Sequence, residues 1–228
     1  MEKDNKRFWK DMWNQHALDD TMYGRDSWRF SDFCLLLQDI IRAVGVSQTD
    51  TVLDAGGGTG AIAMVLSPFV KRITLFDIGC EVVAKARQDT KGFGNIEVLE
   101  DDVAEMRHIK GPYSRVIVGS VIQYLNSYDE LAKTLSQVYR CLEIDGKALF
   151  THNPDLSKKE AHFASYGRLP WDAARIRAAL DIEERRFWID KERLSALALD
   201  LGFRASYETP IHPDLWQSTH MFDWVLVK

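Results

Sequence analysis

Val52-Leu53-Asp54-Ala55-Gly56-Gly57-Gly58-Thr59-Gly60 is the stretch on which the fold turns. Thr51, Val52 and Leu53 make a short apolar run that reads as a buried strand, Asp54 ends it, and four glycines follow at Gly56, Gly57, Gly58 and Gly60. Behind them Ala61-Ile62-Ala63-Met64-Val65-Leu66 is apolar and helix-compatible, stopping at Pro68. Strand, glycine turn and helix form the opening unit of a nucleotide-type site. Glycine permits positive φ and brings backbone N–H groups against a ligand with no Cβ in the way.

Several kinds of protein use such a turn. A dinucleotide fingerprint G-x-G-x-x-G/A overlays Gly56, Gly58 and Ala61, with Asp77 near its acidic position. A P-loop is excluded, because no Lys-Ser/Thr pair follows the glycines. Three details point elsewhere: the carboxylate of Asp54 just before the turn, the fourth glycine at Gly60, and about fifty residues ahead of the first strand. The pattern D-x-G-x-G-x-G closing a strand resembles motif I of the class I S-adenosylmethionine (SAM)-dependent methyltransferases. SAM carries an amino-acid tail, a ribose and an adenine, and a close-approach loop beside a carboxylate suits that ligand.

At 228 residues the chain fits one α/β domain with a substantial core. A net charge of −5 gives no basic footprint and argues against a nucleic-acid backbone as main partner. Cys34, Cys80 and Cys141 lie far apart, without C-x-x-C spacing, and read as small core residues of a reducing compartment. No apolar run approaches membrane-spanning length and the N-terminus has no signal-like segment, so the expected location is cytoplasmic.

Ahead of the glycine turn, Trp9, Met12 and Trp13 share a helical face. That segment reads either as a helix packed on the domain or as a lid or substrate wall, and the two are compatible. Ser31 is the expected N-cap of the next helix, with Phe33, Leu36, Leu37, Ile40, Ile41 and Val44 at helical spacing and Gly45 as C-cap. After the turn, Arg72–Phe76 forms a second strand ending at Asp77, whose carboxylate can accept both ribose hydroxyls in a bidentate arrangement. Its alternative role is to cap the helix from Cys80. Ile96–Leu99 and Arg115–Gly119 are further strands, Ser127 opens a capping box, and Lys147–Thr151 is strand five. The run Arg140–Lys147 resembles the family's post-helix segment, with Asp145 replacing its first glycine. A last helix capped by Asp190 and two closing strands, 203–208 and 221–227, match the family's ending.

The resemblance implies a three-layer α/β/α Rossmann-like methyltransferase fold, with a seven-stranded, mostly parallel sheet and an antiparallel last strand. One domain spans 1–228, with an N-terminal helical cap over 1–46 and a cap insert over about 155–188. It implies SAM as cofactor, S-adenosyl-L-homocysteine (SAH) as product, and Asp54, Gly56, Gly58, Gly60, Asp77, Ile78, Asp102, Val103 and Gly119 as cofactor-binding residues. For the adenine, Asp101 is the register alternative to Asp102. The exit of strand four, Ser120–Leu125, faces the methyl group. It lacks the Asn/Asp-Pro-Pro-Tyr/Phe of enzymes that methylate exocyclic amines of bases or glutamine, and no paired-acid metal cluster accompanies it. No metal is expected.

Gln123, Trp28 and His162 are the expected substrate contacts, and His152, then Tyr124, the expected general base for a hydroxyl acceptor. The expected reaction is methyl transfer to an oxygen, or a nitrogen, of a small organic acceptor, a saccharide or natural-product intermediate among them. Three rivals stand beside it: an enzyme acting on protein or tRNA, which predicts a basic groove; a SAM-binding protein without turnover, which predicts a filled acceptor cavity; and a dehydrogenase, which predicts NAD binding.

Overall fold

The computed structural model describes residues 5–18 and 29–228, with side chains in the first segment described as far as residue 15. Two helices, α1 (Asn5–Leu18) and α2 (Phe30–Val44), precede an alternating series. It runs β1 (Thr51–Ala55), α3 (Ala61–Leu66), β2 (Arg72–Asp77), α4 (Cys80–Asp89), β3 (Ile96–Glu100), β4 (Tyr113–Gly119), α5 (Tyr128–Cys141) and β5 (Leu142–Pro154). Next come α6 (Lys159–Tyr166), α7 (Ala173–Glu183), α8 (Lys191–Asp200), β6 (Ala205–Thr209) and β7 (Met221–Val227).

The seven strands form one sheet in the order β3-β2-β1-β4-β5-β7-β6. Pairing from β3 through β5 is parallel, and β7 lies antiparallel between β5 and β6. Alternation along each strand sends neighbouring residues to opposite faces. Val52, Ile73, Leu75, Ile117, Leu149 and Val225 meet the apolar stripe of α2 and α3. Leu53, Phe76, Val116, Val118, Phe150 and Leu226 meet α5 and α8. Both faces are covered, as a parallel sheet requires.

Several cap expectations hold and several shift. Gly45, at φ +60, closes α2 through its N–H to Ile41 O, and Asp190 caps α8 by accepting from the N–H groups of Glu192 and Arg193. Ser127 Oγ accepts the Glu130 N–H at 3.3 Å, whereas the Glu130 carboxylate reaches past the cap to the Asn126 N–H at 2.7 Å. Helix α2 begins at Phe30, not after Ser31, because the Asp32 carboxylate ties back to the Arg29 N–H at 3.3 Å. Asp145 sits at φ +66, the left-handed conformation that glycine adopts most readily. Of the cysteines only Cys141 is buried; Cys34 is half-buried and Cys80 is exposed at the start of α4, so the core expectation is corrected for those two.

Helix α1 lies across the carboxyl ends of the strands, braced at both ends. Asn5 Nδ2 donates to Arg185 O at 3.2 Å, and the Arg185 guanidinium stacks on the Phe8 ring. At the other end, Asn14 Oδ1 accepts the Glu81 N–H at 3.2 Å, a cap for α4 supplied from a distant helix. Among the described residues no helix is long and apolar enough to cross a membrane.

Candidate active site

A cleft of about 220 Å³ opens where the glycine turn meets the exits of β1, β2, β3, β4 and β5, which is where open α/β sheets bind ligands. One wall is the glycine turn, built by local necessity. Gly56 (φ +69) and Gly58 (φ +59) take left-handed backbone, and a Cβ on Gly56 would stand 2.4 Å from Val121 Cγ2. The N–H groups of Gly56 and Gly57 are held by Phe76 O, which frees the tip of the turn to face the cleft.

Two carboxylates floor this end. Asp77 accepts the Gly58 N–H at 3.1 Å and the Gly79 N–H at 3.0 Å, so it ties the glycine turn to the start of α4 as well as facing the cleft. Burial raises its pKa, and the bonds from Gly79, Gly58 and Ile78 oppose that. Asp54 is fully buried beneath the turn, and neither carboxylate oxygen has a hydrogen-bond partner. Burial, with the Asp77 charge added, pushes it up to about 7. An orphaned carboxylate at the edge of a cleft lacks a cationic donor. The ammonium of SAM's amino-acid tail has the chemistry to supply one, so these residues fit that cofactor.

At the far end of the floor, Ile78, Asp101, Asp102 and Val103 line the cleft. The Asp101 carboxylate is taken up by the N–H groups of Asp102, Arg107 and His108, at 2.7 to 3.1 Å. Asp102 accepts from Ala104 N–H at 2.9 Å and pairs with Lys6 of α1 at 2.5 Å. The opposite wall is aromatic. The Tyr124 ring packs against Trp9 (4.6 Å between centroids) and Trp13 (6.0 Å), and Phe33 and Leu36 of α2 complete it.

The structure therefore brings together Asp54, Gly56, Gly58, Asp77, Ile78, Asp102, Val103, Gly119 and Tyr124. It places four others away from the cleft. Gly60 (φ +89) sits behind the turn as N-cap of α3. His152 is fully buried at φ +54, at the register break between β5 and β7, with its N–H donated to Asp223 Oδ1 at 2.6 Å; its neighbour Thr151 is the one that lines the cleft. Gln123 is fully buried with its amide turned to Ser120 O and Arg186. His162 is buried in α6 against Glu183 and His220. His152, expected as base, and Gln123 and His162, expected as substrate contacts, thus do not line the cleft. Trp28 lies outside the described residues. Among the described residues, no group of three His, Cys, Asp or Glu is arranged to hold a metal. Sequence reasoning did not single out Lys6, Lys10, Phe33 and Thr151, which also line the cleft; for α1, the shared face of Trp9 and Trp13 was the available signal.

Comparison with known proteins agrees with this geometry. A family model described as nodulation protein S (NodS) matches residues 12–178. Nodulation protein S of Azorhizobium caulinodans is 26% identical over 152 residues, covering 64% of this chain and 69% of that protein. Ribosomal RNA small subunit methyltransferase A of Caldanaerobacter subterraneus is 34% identical over 71 residues, but the match covers only 26% of that protein's length. The crystal structure of the N-methyltransferase NodS from Bradyrhizobium japonicum WM9, in complex with SAH, shares the fold (TM-score 0.66, 16% identity, 99% of both chains covered). With the family match spanning well over half of its residues, this chain belongs to the NodS family and is a SAM-dependent methyltransferase.

Proposed function

We propose that this enzyme methylates a nitrogen of a small organic acceptor, an amino-bearing saccharide being the first class to try. The observation that carries the reading is the aromatic wall formed by Trp9, Trp13 and Tyr124 beside the exit of β4. Aromatic faces stabilise cations that have left water, and N-methylation passes from one cation to another. SAM supplies a methyl group already activated on a sulfonium. In this reading Asp54 holds the cofactor's ammonium and Asp77 its ribose, with the backbone of the glycine turn close against it. The remaining work of the protein is alignment and exclusion of water.

The choice of nitrogen over oxygen follows from proton handling. A hydroxyl of high pKa needs a base within hydrogen-bond reach as it attacks. His152, the base expected from sequence, is buried away from the cleft, which leaves Tyr124 as the group at hand. An amine gives up its proton to solvent before it attacks and needs no imidazole. The family relative from Bradyrhizobium is itself an N-methyltransferase.

The test is a methyl-transfer assay with labelled SAM on paired acceptors, an amino sugar and its N-acetylated form. Methylation of the amine alone, at a rate that rises with pH until the amine is deprotonated, is expected. Equal methylation of the acetylated form would move the reading to oxygen. Label appearing only in tRNA or protein would overturn the small-molecule assignment.

A further inference from the structure

Behind the Ser120–Leu125 wall lies a buried polar chain that does not touch the cleft. Glu183, the last residue of α7, pairs with Arg186 Nε at 2.9 Å and with His162 Nε2 at 3.5 Å. Burial opposes ionisation of Glu183, yet the bond from His162 and the charges of Arg186, His162 and His220 hold its carboxyl below the ordinary value. The other end of Arg186 donates to Gln123 Oε1. Gln123 in turn donates to Ser120 O at 2.9 Å, and its own carbonyl accepts the Phe187 N–H at 2.8 Å. Ser120 stands at φ +58, with its N–H on Thr151 O at 3.0 Å. A non-glycine residue in that conformation persists only where its surroundings over-determine it.

We propose that Arg186 is a positioning residue for methyl transfer: Glu183 fixes its guanidinium, Arg186 fixes the Gln123 amide, and Gln123 fixes the turn that presents Ser120, Val121 and Tyr124 to the cleft. A planar, permanently charged fork is suited to this. It pairs with a carboxylate and donates to an amide oxygen at once, and leaves the amide with one orientation. The inference rests on the reading of this wall as the acceptor side. Misplacement of such a wall by an ångström costs on the order of 100-fold in rate without touching the cofactor's carboxylates.

The experiment compares wild type, Arg186→Met, Arg186→Lys and Gln123→Leu by hydrogen–deuterium exchange, SAH titration and methyl-transfer kinetics. Gln123→Leu leaves the Arg186–Glu183 pair in place, so it serves if Arg186→Met does not fold. The expected result for Arg186→Met and Gln123→Leu is faster exchange in peptides covering 119–125, with those covering 52–60 unchanged. SAH affinity should stay within about threefold of wild type while kcat falls about 10- to 100-fold. Arg186→Lys should recover part of the kcat and of the protection. Unchanged exchange at 119–125 would overturn the proposal. So would exchange that rises throughout the chain together with an equal loss of SAH affinity. If the wild type methylates none of the amines, the acceptor reading falls, and the exchange data alone decide the role of Arg186.

Discussion

Lowering the pH from 8 to 6 should weaken SAH binding about tenfold, and the cause is Asp54. With its carboxyl pushed up to about 7 by burial and by Asp77, the ligand-free protein holds a proton there with about 90% occupancy at pH 6 and about 10% at pH 8. A bound ammonium favours the ionised carboxylate, so binding at pH 6 must expel about 0.9 of a proton and at pH 8 about 0.1. Because Asp77 is coupled to it, the proton belongs to the pair. Calorimetric titration in two buffers of different ionisation enthalpy reads the proton count directly. The same shift acts on folding. A carboxyl raised from 3.8 to about 7 binds its proton more tightly in the folded state, so the ligand-free protein loses stability as pH rises from about 4 to about 7, by about 4 kcal/mol at most. Asp54→Asn should remove most of both pH dependences, leaving what Asp77 contributes, and weaken SAH binding at pH 8. An affinity that is flat between pH 6 and 8, with no buffer-dependent heat, would refute the assignment of Asp54 to the ammonium.

Three further outcomes follow from the same geometry. Asp77→Ala should weaken SAH by about 10- to 100-fold in calorimetry, since it loses a ribose acceptor and frees the N–H groups of Gly58 and Gly79. Gly56→Ala and Gly58→Ala should separate folding from binding. The first, driven into Val121, should cost about 2–4 kcal/mol in denaturant unfolding, and the second, with open space around its Cβ, about 1 kcal/mol while still losing SAH at least about tenfold. Asn14→Ala should lower stability by about 1 kcal/mol through loss of the α4 cap, and should speed alkylation of exposed Cys80, whose sulfur lies 3.9 Å from the Asn14 amide.

The glycine-turn end of the cleft was legible because its signals are local. Asp54, the glycines and Asp77 are set by two strand ends and one turn, so spacing along the chain nearly equals placement in space. The aromatic end was not, because it is assembled from distant pieces. Trp9 reaches Tyr124 across more than a hundred residues, and Arg186 reaches Gln123 from the turn after α7. His152 misled for a definable reason. Continued alternation along β5 gives no warning of the register break between Phe150 and Asn153 that turns residue 152 into the seam with β7. Asp145 shows the reverse: a departure from the expected glycine that the backbone absorbs in the same left-handed conformation.

The position of β7 bears on how the site comes into being. Met221–Val227 is made after every other strand, yet it sits inside the sheet, between β5 and β6. Without it, β6 would have no partner and one edge of β5 would stay open, an exposure that invites mispairing. Asp223, which holds the His152 backbone beside Thr151, arrives on that same strand. The Thr151 side of the cleft therefore depends on β7, the strand through which β6 joins the rest of the sheet.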